Sequence, residues 1–74
     1  MKPLTSNGGV KPHGLPHLRT LRQRKGLSLG QLADMTGIRR DTIADLETGR
    51  EDPQPYQLRL LARVLDVPQF DLVS

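Results

Sequence analysis

Apolar positions along this chain recur at the spacing of helices. Leu18, Leu21 and the stem of Arg22 form one group, and Leu29, Leu32, Ala33 and Met35 a second. Ile43 and Leu46 form a third, and Leu58, Leu61, Ala62 and Leu65 a fourth. Each group falls on one side of a helix of about 3.6 residues per turn. No stretch alternates as a half-buried strand would, and no internal repeat appears, so the pattern predicts an all-α fold. Pro16 suits the first turn of the first helix, where a missing N–H is not needed, and Gly26 ends that helix. Ser28 followed three residues later by Gln31 predicts a capping box, in which each side chain satisfies a free backbone N–H of the other. The second helix closes at Gly37, where a positive φ costs glycine nothing, and Met35 is expected as core filler. The third is predicted over Arg40 to Thr48, stopping at Gly49. Ile38 and Ile43 staple its start, and its buried stripe is Ile43, Leu46 and one edge of Glu47. Pro53, Gln54 and Pro55 read as a stiff loop feeding the fourth helix, and Pro68 opens a last short turn carrying Phe70 and Leu72.

Ahead of this pattern, residues 1 to 14 combine Pro3, Gly8, Gly9, Pro12 and Gly14 with few apolar side chains. They are expected to form a flexible arm, with the domain spanning residues 15 to 74. Seventy-four residues leave room for one domain with a thin core. The absence of cysteine excludes a disulfide framework and a thiolate metal site and is what a reducing cytosol permits, so a cytoplasmic protein is expected. No apolar run approaches the roughly 18 residues that cross a bilayer, and the first residues lack the apolar centre of a signal peptide. His13 and His17 are separated by Gly14 and Pro16 with no further ligand nearby, so neither a metal nor another cofactor is expected. No Cys, Ser-His-Asp or carboxylate constellation suggests catalysis, and Gly8-Gly9 lacks the Lys-Ser or Lys-Thr of a phosphate loop.

Net charge is +3 and the isoelectric point is about 10.0, the sign expected of a nucleic-acid binder. Its distribution is more informative. Lys2 and Lys11 lie in the arm, leaving nine basic residues against eight acids from Pro16 onward. The positive charge collects before the third helix and at its start, in Arg19, Arg22, Arg24, Lys25, Arg39 and Arg40.

The segment from Ser28 to Arg50 carries the functional signal. Two short helices that cross steeply need a small residue at the crossing, a turn residue free to adopt positive φ, and apolar anchors on the second helix. Ala33, Gly37, and Ile43 with Leu46 fill those roles in order. By spacing alone the segment is either a helix-turn-helix or a plain helical hairpin in an inert bundle. Successive residues turn by about 100°, so with Ile43 and Leu46 inward, Arg40, Asp41, Ala44, Asp45 and Thr48 face outward or to the flank.

The chain resembles the phage-repressor family of helix-turn-helix domains, of Cro and cI type, also called the XRE family. The resemblance covers about Leu18 to Leu72. It rests on Leu21-Arg22, Lys25-Gly26-Leu27-Ser28, Leu32-Ala33, Gly37, Thr42-Ile43, Leu46-Glu47, Gly49-Arg50, Pro53, Leu61-Ala62, Leu65 and Val67. It implies five helices, the third laid in the major groove of double-stranded DNA, and a homodimer on a two-fold site. It also implies that Arg22 pairs with Glu47 to clamp the third helix to the scaffold.

On this resemblance, base reading is expected from Arg40, with Arg39 on a base or a phosphate. Thr42 would meet a phosphate or a thymine methyl. Backbone N–H groups near Ser28 and around Gly49 and Arg50 would hold flanking phosphates, with the Gln31 and Arg50 side chains assisting. Two positions depart from the family pattern. Leu29 stands where glutamine is common, and Arg39 stands at an N-cap commonly filled by a small hydroxyl residue. Asp41 and Asp45 are a like-charge pair four residues apart. Three roles are open to them: accepting from cytosine N4, facing solvent, or meeting a basic protein partner.

The leading expectation is a sequence-specific transcriptional regulator. Its rival is an antitoxin-like or bridging module that uses the same fold to hold a protein. With nothing after Ser74 to bind an inducer, regulation is expected from concentration, a partner or DNA arrangement. Phe70, Leu72 and Val73 are expected either to form a dimer surface or to cover the first and fourth helices. Lys2 and Lys11 of the arm would follow a minor groove.

Overall fold

The computed structural model of the chain describes residues 14–73, and these form five helices without a strand. They are α1 (Leu18–Arg24), α2 (Leu29–Thr36), α3 (Arg40–Thr48), α4 (Pro55–Leu65) and α5 (Gln69–Val73). The arm expected over residues 1 to 14, with Lys2, Lys11 and His13, lies outside the described residues except for Gly14. Among the described residues no helix is long and apolar enough to cross a membrane.

Local signals set most boundaries. Pro16 and His17 form a turn ahead of α1, whose helical run opens at Leu18. The capping box of α2 is present: Ser28 Oγ accepts from the Gln31 N–H at 3.0 Å, and the Ser28 N–H donates to Gln31 Oε1 at 2.8 Å. Gly37 caps α2 in the left-handed region at φ 76°, turning the chain sharply toward α3. Arg39 precedes α3 in an extended conformation without a side-chain cap. Ile38 and Ile43, on either side of it, are both buried. A second box opens α4, where the Gln54 N–H donates to the Gln57 side-chain oxygen at 2.9 Å.

The core is Leu15, Leu18, Leu32, Ile38, Ile43, Leu46, Leu61, Ala62, Leu65 and Leu72. Two of its features depart from the sequence pattern. Leu15 is fully buried although it precedes the first helix, held there by its N–H donating to the Leu46 carbonyl at 2.8 Å. Met35, expected as core filler, is 54% exposed. With about 100° per residue, the buried face of α2 centres on Leu29, Leu32, Ala33 and Thr36, and Met35 lies about 110° around the helix from that centre. The apolar residues of α5 divide for the same reason. Leu72 is fully buried, whereas Phe70, about 160° around the helix from it, is 71% exposed and Val73 is exposed beside it.

Candidate nucleic-acid interface

The scaffold presents α3 with one side sealed and the other open. Ile43 and Leu46 are fully buried, and α3 packs on α2 and α1. Arg39, Arg40, Asp41 and Thr48 are exposed, while Thr42, Ala44 and Asp45 are half-buried along the flanks. Arg40 and Asp41 therefore stand at the solvent-facing start of the helix. The first-turn N–H groups there receive no side-chain cap from Arg39, and Asp41 offsets part of that loss by sitting at the positive end of the helix dipole. Thr48 is occupied with its own helix, its hydroxyl donating to the Ala44 carbonyl at 3.1 Å.

At the start of α2, Ser28 and Gln31 are exposed and bonded to each other. Their N–H groups are taken by the capping box, while those of Leu29 and Gly30 meet no acceptor among the described residues. The N–H groups around Gly49 and Arg50, expected to hold a phosphate, are otherwise engaged. Those of Gly49 and Arg50 both donate to the Asp45 carbonyl, the latter at 2.9 Å, closing the end of α3. A helix end that satisfies its own carbonyls in this way has no amide left there for a ligand. The exposed Arg50 side chain is what remains at that position.

Behind the exposed face, Arg22 and Glu47 come together. Arg22 Nε donates to Glu47 Oε2 at 2.6 Å and Nη2 to Oε1 at 3.2 Å, while Nη1 donates to the Leu27 carbonyl at 2.8 Å. The Glu47 side chain is only 2% exposed. One guanidinium thus joins α1 to α3 and to the residue before the α2 cap.

Two contacts on α3 were not anticipated. Arg19, one turn before Arg22, also donates to Glu47, from Nε to Oε1 at 3.3 Å. The i, i+3 spacing of Arg19 and Arg22 places both on one face and was the available signal. The second contact is a latch ahead of α1. Besides the Leu15 bond to Leu46, the Gly14 N–H donates to Asp52 Oδ1 at 2.8 Å, so the backbone at 14 and 15 grips both the end of α3 and the loop after it. Among the described residues, no cluster of three or more His, Cys, Asp or Glu side chains could hold a metal ion.

Comparison with known proteins agrees with this geometry. A family described as "Helix-turn-helix domain" matches residues 17–72. The uncharacterized HTH-type transcriptional regulator RghRB of Bacillus subtilis (strain 168) is 41% identical over 66 residues, which cover 88% of this chain and 47% of that protein. The chain thus spans about half the length of this curated relative. The crystal structure of the restriction-modification controller protein C.AhdI from Aeromonas hydrophila superposes with a TM-score of 0.72 at 34% identity, covering 76% of this chain and 85% of that one.

Proposed function

Because the chain belongs to the helix-turn-helix domain family, of the phage-repressor type that its residues resemble, we propose that it is a sequence-specific DNA-binding regulator of transcription that places α3 in the major groove. The observation that carries this reading is the division of α3 into a sealed side, Ile43 and Leu46, and an open side led by Arg40 and Asp41. The relatives are named as a transcriptional regulator and a controller protein, which supports the same reading.

In this account residues 15 to 74 are the DNA-binding domain. Arg40 forks onto guanine O6 and N7, Arg39 takes a base or a phosphate, and Thr42 takes a phosphate or a thymine methyl. Asp41 and Asp45 accept from cytosine N4, the arrangement in which carboxylates are tolerated in a major groove. Ser28, Gln31 and Arg50 hold flanking phosphates, which fix register without carrying sequence information. The reaction is binding alone, with no catalytic step and no cofactor, in the cytoplasm where the DNA lies.

The test begins with selection of bound duplexes from a random pool, repeated with Arg40→Ala. Loss of preference at one position, worth about 1 to 3 kcal/mol, assigns the Arg40 contact. Affinity for the selected duplex is then followed against salt. A dimer neutralising roughly six phosphates loses about a thousandfold between 50 and 200 mM salt. No shift of any duplex at any salt would replace this reading with the protein-holding module.

The same account makes the protein a homodimer on a two-fold site. Phe70 and Val73 leave apolar surface on α5 that the core does not use, and a second copy of the chain covers it. Sedimentation over a concentration series is expected to show a dimer that Phe70→Ser converts to monomer. A monomer throughout the wild-type series would remove the dimer from the account.

A further inference from the structure

We infer that Arg19 is a phosphate-contacting residue, a cation held ready beside the end of α3; the inference rests on the duplex-binding reading above. Its basis is the charge count at Glu47. Arg22 already satisfies that carboxylate, reaching both oxygens at 2.6 and 3.2 Å, and its third nitrogen, Nη1, donates to the Leu27 carbonyl. The ion pair is neutral and closed before Arg19 is counted.

Arg19 adds a single bond of 3.3 Å from Nε. Its Nη groups meet no other acceptor among the described residues, and its side chain is 57% exposed whereas that of Glu47 is 2% exposed. The cluster therefore carries one surplus positive charge, located on the guanidinium that faces water.

A purely stabilising role does not account for this arrangement. Ion pairs with an exposed partner contribute little, because water screens them and the side chain loses freedom. Here the attraction is further offset by repulsion from the Arg22 guanidinium beside it. What the bond to Glu47 does achieve is orientation. With Nε tied down, the fork of Nη1 and Nη2 is the free end, and a planar fork matches two oxygens of a phosphate. Its anchor, Glu47, is next to the exposed Thr48 and near the exposed Arg50, on the helix assigned to the groove. A cation fixed there meets the backbone of the duplex and adds affinity without choosing a sequence.

The experiment uses the full chain and fluorescence anisotropy, titrating the selected duplex and a scrambled one between 50 and 200 mM KCl. For Arg19→Gln we expect a salt slope lower by about one per phosphate lost, which is about two for a dimer, and roughly tenfold weaker binding of both duplexes. Arg19→Lys restores the slope, since a point charge releases the same counterions. Urea midpoints stay at the wild-type value in both variants. A slope unchanged in Arg19→Gln overturns the inference, as does an affinity loss that follows a fall in the urea midpoint. Wild-type protein that binds no duplex at any salt overturns the DNA reading itself and this inference with it. A steep wild-type slope retained by Arg19→Gln overturns only the inference.

Discussion

Glu47→Ala will leave the chain with about 2 kcal/mol of stability or less at room temperature, close to its unfolding midpoint. The substitution removes a carboxylate that is 2% exposed and strands the buried guanidinium of Arg22. Removing one partner of a buried pair costs about 3 to 5 kcal/mol, because the other charge stays desolvated without compensation. Small domains have about 5 to 15 kcal/mol of total stability, and one with so thin a core belongs at the lower end. Little of the loss comes from Arg19, whose exposed side of the cluster is screened by water. Urea titration followed by circular dichroism at 222 nm measures the effect. Glu47→Gln, which keeps an acceptor oxygen but not the charge, should fall between the two. A midpoint for Glu47→Ala within a few tenths of a kcal/mol of wild type would mean that the bonds from Arg22 to Glu47 are not what joins α1 to α3.

That cluster illustrates what could be read from the letters. Features encoded by neighbouring residues were legible: the Ser28 and Gln31 box, the left-handed Gly37, the burial of Ile38 and Ile43 on either side of the α3 cap, and the limits of α3 at Arg40 and Thr48. Each is a local physical rule acting over three to five residues. The outward face of α3 followed from helical geometry once Ile43 and Leu46 were placed inside.

Features that depend on tertiary packing were missed. Met35 has helical spacing from Leu32 but lies off the face that meets α3, and a helix of two turns offers too few positions to show which side is buried. The N–H groups after α3 are a miss of another kind: the Asp45 carbonyl accepts from them at four and five residues' spacing, by the same local rule that glycine caps follow, and Gly49 carried that signal. In the sequence Arg19 is one basic residue among several, and only the packing of α1 on α3 brings Glu47 within its reach.

Leu15 is the largest of these misses, and it leads to the second strong effect. Gly14→Ala is expected to destabilise the fold by about 2 to 5 kcal/mol, although Gly14 sits among residues that read as a loose arm. Gly14 has φ 73°, and an alanine held in that left-handed region costs about 1 to 2 kcal/mol in any surroundings. Its surroundings add a second cost. A Cβ at position 14 would overlap the Leu46 carbonyl oxygen and stand 3.0 Å from the Glu51 carbonyl oxygen and from Gly49 Cα. All three are backbone atoms, so no rotamer change relieves the contact. Because the Leu46 carbonyl also accepts the Leu15 N–H, moving away draws Leu15 out of the core. Gly37 provides the control, with φ 76° and nothing within 4 Å of an added Cβ. Gly37→Ala should therefore incur the φ cost alone, and equal urea midpoints for the two variants would show that the latch bears no weight. The same contacts decide how the arm should be tested. Deleting residues 1 to 14 removes the Gly14 bond to Asp52 and lowers DNA affinity through the end of α3 whether or not Lys2 and Lys11 touch a groove. A deletion that spares Gly14 isolates the lysines, and the affinity difference between the two deletions measures the latch.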